Sequence, residues 1–114
     1  MTDDLSLPSR IRQLLETAAR DSLPMTYQQV AEALGLQPPR TIQRVAQALE
    51  TLMREDADQG RPFIAALVVS RRCEGLPAQG FFDLAMELGR FPADPALQAE
   101  AWREEFERVL AVTQ

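Results

Sequence analysis

The chain has 114 residues, 46% of them hydrophobic, and a formal net charge of −5. That size suits one domain with a real core and excludes wholesale disorder, while the acidic balance argues against a general nucleic-acid binder. Histidine is absent and cysteine occurs once, which excludes Ser-His and Cys-His nucleophile pairs, His metal ligands, an internal disulfide and a thiolate zinc site.

The N-terminal Met1-Thr2-Asp3-Asp4 is acidic where a signal peptide is basic. The longest apolar run, Phe63 to Val69, is far shorter than the roughly 20 residues of a membrane span. The expectation is a soluble, cytoplasmic protein.

A first helix is predicted from about Pro8 to Arg20. Ile11, Leu14, Leu15 and Ala18 form its apolar stripe, and Pro8 suits the first turn. Asp21 to Pro24 breaks it. The second helix has the clearest start. Thr26 followed by Gln29 makes a capping box, and Met25 and Val30 occupy the positions of a hydrophobic staple. Gly35 ends this helix as a C-terminal glycine does. A third helix, opened by Pro39, is predicted to reach about Asp56. Its apolar face is Ile42, Val45, Ala46, Leu49, Leu52 and Met53. Asp56 to Gly60 reads as a polar turn.

Phe63 to Val69 is rich in β-branched residues and reads as a strand buried on both faces. Ser70 to Gly75 reads as its turn, and Leu76 to Gln79 as a short returning edge strand marked by Pro77. A fourth helix spans about Phe81 to Gly89 and Phe91 to Pro95 is a linker. A last helix runs from Asp94 or Pro95 to about Val112. Trp102, Phe106, Val109 and Leu110 are expected inward on it, with Glu100, Glu104 and Glu107 mostly outward.

A short capped helix, a tight Gly turn, a longer helix and a hairpin follow the layout of a winged helix-turn-helix. The expected fold is therefore mainly α with a small β-hairpin: about five helices plus a two-stranded wing. It forms one domain, with a core over about 7–91 and a C-terminal helix over about 94–112. The N-terminal half of the third helix presents Arg40, Thr41, Gln43, Arg44 and Gln47, residue types that reach phosphates and base edges. No acidic residue falls between Ala33 and Leu49. With Arg71 and Arg72 of the wing, these residues form the candidate nucleic-acid-binding set. Ordinary solvated arginines are an equally good reading of the same residues.

"MTYQQVAEALGL", followed by "RTIQRVAQALETL" and "IAALVVS", resembles the DNA-binding part of alkyltransferases and alkyltransferase-like proteins, over about Met25 to Gly80. The resemblance implies an Arg-bearing recognition helix followed by a strand and a hairpin. The family's Pro-Cys-His-Arg segment has no counterpart. Pro62-Phe63-Ile64-Ala65-Ala66 stands in the comparable place, so alkyl acceptance does not carry over. The pattern "LVVS" with "GLPAQGFF" is also similar to small bacterial proteins of unknown function.

Cys73, beside Arg71 and Arg72, has the charge environment of a lowered thiol pKa, but the chain supplies no histidine to act as its base. Glu50, Glu55, Asp56 and Asp58 are acids of the kind that bind divalent cations. They match no complete calcium loop and read better as a solvated helix end. Phe81, Phe82 and Phe91 read as core rather than as a base-stacking platform. Trp102 and Phe106 read as core too, or as a homodimer or partner surface where exposed. The leading expectation is a non-enzymatic module that binds duplex DNA, without cofactor or metal. A protein-interaction module on the same fold is the alternative, and a small enzyme using carboxylates or Cys73 comes third.

Overall fold

A computed structural model describes residues 6–18, 20–70 and 75–113. Five α-helices occur among them: α1 (Leu7–Thr17), α2 (Tyr27–Ala33), α3 (Thr41–Asp58), α4 (Gln79–Glu87) and α5 (Pro95–Thr113). They are joined by two short strands, β1 (Met25–Thr26) and β2 (Val68–Val69), and by 3₁₀ turns over Arg20–Ser22 and Ile64–Leu67. No helix among the described residues is long and apolar enough to cross a membrane.

The local signals at α2 operate as read. Thr26 Oγ1 accepts the Gln29 N–H at 3.0 Å, and Gln29 Oε1 accepts the Thr26 N–H at 2.9 Å. At the other end Gly35 adopts φ +67°. Leu36 N–H then reaches Ala31 O at 3.0 Å and Gly35 N–H reaches Glu32 O at 3.1 Å, the paired bonds of a Schellman stop. α1 begins at Ser6, whose hydroxyl accepts the Ser9 N–H, and buries Ile11 and Leu15. Asp94 Oδ1 accepts the Ala96 N–H at the start of α5.

α3 starts two residues later than Pro39 suggests, at Thr41, with Arg40 as its N-cap. It buries Val45, Ala48, Leu49, Leu52 and Met53 against α1 and α2. Ile42, expected in that core, is 43% exposed because it lies in the first turn, ahead of the buried stripe that begins at Val45.

The predicted hairpin wing does not form among the described residues. Phe63 to Val69 is buried throughout, as its composition requires, but only Val68 and Val69 are strand. These two residues pair in parallel with β1, Met25 opposite Val68 and Thr26 opposite Val69. Ser70 N–H donates to Leu76 O at 2.8 Å, but Leu76 to Ala78 make no strand and Gln79 already begins α4. Ile64–Leu67 is a 3₁₀ turn because its polar backbone groups are claimed from other directions. Phe63 N–H donates to Glu105 Oε2 at 2.6 Å, Ile64 N–H to Asp56 Oδ2 at 3.0 Å, and Ala66 O accepts the Trp102 indole N–H at 2.8 Å. A buried backbone group satisfied by a side chain has no need of a neighbouring strand.

Asp56 thus departs from the reading of its helix end as solvated, whereas Glu50, Glu55 and Asp58 are exposed; Glu105 on α5 is a second buried acid. Asp56 is fully buried and its Oδ1 lies 2.9 Å from Arg12 Nη2 and 3.2 Å from Arg61 Nη2. Glu105 is 1% exposed and takes Arg90 at 2.9 Å on one oxygen and Arg108 at 2.9 Å on the other. A buried carboxylate is tolerable only when its lone pairs are filled in this way. Above this layer Phe81 packs edge-on against Phe63, Phe82 and Phe91, with centroid distances of 6.1, 5.3 and 5.5 Å. The Arg90 guanidinium lies 4.4 Å from the Phe63 ring centre. The phenylalanines are core, and Trp102 and Phe106 are half-buried at its edge.

Candidate nucleic-acid interface

A short linker leads from α2 to the start of α3. The Schellman stop turns the chain at Gly35, and Leu36 to Pro39 leads to Arg40. Arg40 has φ 62° and ψ 32°, left-handed values that cost an L-residue with a Cβ about 1–2 kcal/mol. Arg44 Nη1 donates to Gln37 O at 3.2 Å and ties the linker to the helix.

Arg40, Gln43, Arg44 and Gln47 recur at i, i+3, i+4 and i+7, opposite the buried Val45, Ala48 and Leu52. All four are exposed and, with Pro39, line one open concavity. Thr41 is half-buried at its edge. Among the described residues neither Arg40 nor Arg44 meets a carboxylate, whereas Arg12, Arg61, Arg90 and Arg108 are all ion-paired elsewhere. Glu32, the nearest acid before α3, accepts from Gln28 on α2. Glu50, the next acid after Arg40, leans toward α4, its Oε2 3.7 Å from where a Cβ on Gly80 would stand. Arg71, Arg72 and Cys73 lie outside the described residues. The assembled part of the candidate set is therefore the α3 face.

Chemically this face offers two guanidinium groups without carboxylate partners and two carboxamides along two turns, about 11 Å of helix. Guanidinium donors fit phosphates and the O6/N7 edge of guanine, and Gln fits the N6/N7 edge of adenine. Arg40 makes no side-chain cap, so the first N–H groups of α3 also face outward, an arrangement suited to phosphate.

Among the described residues no group of three or more side chains of metal-ligating type comes together. The helical period did not reveal a small pocket on the neighbouring face of α3, between α3, α4 and the 3₁₀ segment. Its one trace in the sequence is the spread of small residues, Ala46, Ala65, Ala78 and Gly80, over three distant segments. No family model, curated protein or solved structure matches the chain.

Proposed function

We propose that the chain is a non-enzymatic helix-turn-helix module that binds duplex DNA, with α3 as the element that enters the major groove. The observation that carries this reading is the α3 face itself: Arg40 and Arg44 without carboxylate partners, interleaved with exposed Gln43 and Gln47 on one concavity. The overall charge of −5 does not oppose it locally, because the stretch from Ala33 to Leu49 carries no acid. The resemblance to alkyltransferase-like proteins supports the same reading. The 3₁₀ segment Ile64–Leu67 bears only apolar side chains, which suits binding without group transfer.

The test is fluorescence anisotropy of a labelled duplex across a salt series. Each arginine that neutralises a phosphate contributes about −0.9 to the slope of log affinity against log salt. Binding at low salt that disappears in the R40E/R44E double variant supports the proposal. Absence of binding at low salt, or binding indifferent to that double variant, overturns it.

A further inference from the structure

The pocket beside α3 has a volume of about 130 Å³. Leu49, Met53, Ala65 and Phe81 supply apolar walls, and Tyr27 and Glu50 supply the polar groups. That volume approaches the roughly 150 Å³ at which an apolar protein cavity accepts benzene. The phenol of Tyr27 is engaged, its oxygen accepting the Ala78 N–H at 3.3 Å. The Glu50 carboxylate is different. It is exposed and, among the described residues, pairs with no arginine. It reaches over Gly80 at the first turn of α4, a helix with no acid in that turn and no side-chain cap at Ala78. A small, mainly apolar pocket whose lining carries one carboxylate without an arginine partner is complementary to a molecule with an apolar body and a cationic end.

We propose that this pocket binds small primary amines whose body is a six-membered ring or a branched chain of similar volume, the apolar part against Phe81, Leu49 and Met53 and the ammonium on Glu50. Neutral analogues fill the same walls but lose the charge pair. Carboxylate analogues place a like charge beside Glu50 and are rejected. The proposal does not rest on the DNA reading, since the pocket lies on a different face of α3 and its occupancy is measured without nucleic acid.

The experiment is a two-dimensional NMR titration of the full chain with benzylamine, and with benzyl alcohol and benzoate as controls. Benzylamine is expected to shift the amides of Ala46, Ala65 and Gly80 saturably in the millimolar range, as befits a fragment of about eight non-hydrogen atoms. Glu50→Gln is expected to weaken it about two- to fivefold, the range of a solvent-exposed charge pair. Ala46→Met fills the hole from the partly exposed side of α3 and abolishes the shifts. Gly80→Ala narrows the opening while leaving the helix intact, and guards against an Ala46→Met variant that folds poorly. No saturable shift at these amides, equal binding of benzyl alcohol or benzoate, or an unaltered affinity in Glu50→Gln overturns the proposal.

Discussion

Asp56 and Glu105 accept hydrogen bonds from two consecutive amides, Ile64 N–H at 3.0 Å and Phe63 N–H at 2.6 Å. One carboxylate comes from the end of α3 and the other from α5. Between them they hold the entry to the 3₁₀ segment and bring four arginines to its flanks. Removing either acid leaves a buried N–H unsatisfied and strands cations that are partly desolvated. Asp56→Ala and Glu105→Ala are each expected to cost about 2–4 kcal/mol, measured by urea denaturation. Because they hold adjacent peptide groups, the double variant should cost at least about 0.5 kcal/mol less than the sum. Strict additivity would show that the two clamps are independent.

The caps of α2 set where α3 begins. Thr26→Ala removes one half of the capping box and is expected to cost about 1 kcal/mol, read from the thermal midpoint. Gly35→Ala forces a Cβ into a left-handed position and should cost about 1–2 kcal/mol although the surrounding space is empty. Arg40→Gly at the N-cap is expected to be near neutral in the thermal midpoint, because relief of the same strain offsets glycine's greater unfolded-state freedom.

Trp102 is the chain's one tryptophan. Its indole N–H bonds Ala66 O, so its emission reports whether α5 is seated on the 3₁₀ segment. Trp102→Phe is expected to lose about 1 kcal/mol through the unmade bond, with the fold retained by circular dichroism. In the parent protein, fluorescence and far-UV transitions should coincide in urea. A fluorescence change that precedes loss of helix would mean that α5 leaves first.

On the α3 face the arginines and glutamines have separable roles. Arg44→Ala should weaken duplex binding for every sequence and reduce the salt slope by about 0.9. Gln43→Ala and Gln47→Ala should leave the slope unchanged and relax base preference at one position, by about 1–3 kcal/mol of discrimination. Loss of slope in the glutamine variants would reassign them to other work.

Local chemistry was legible in the sequence and long-range partnership was not. Thr26, Gln29 and Gly35 act through bonds within a few residues, so their spacing alone announces them. The α3 face was legible for the same reason, since a helix puts Arg40, Gln43, Arg44 and Gln47 on one side regardless of the rest of the fold. Asp56 sits at a position that reads as solvated and Glu105 drew no reading, because Arg12, Arg61 and Arg90 lie on other segments and no periodicity records such a meeting. Phe63 to Val69 was legible as buried but not as a 3₁₀ turn. Composition gives the burial; the conformation follows from which distant groups take its N–H and C=O. A two-residue parallel strand pair is likewise too short to leave a pattern of its own.

The placement of Glu105 has a consequence for synthesis. Phe63 N–H, Arg90 and Arg108 all converge on this one side chain in the middle of α5. While α5 is still inside the ribosome, the nascent chain can form α2 and α3, which are local, but it lacks the acceptor for the Phe63 amide and the indole donor for Ala66. The aromatic layer then stays uncovered until translation has delivered α5. Folding of this unit therefore waits for α5, and truncations that stop short of Trp102 should accumulate as chaperone clients rather than as smaller folded domains.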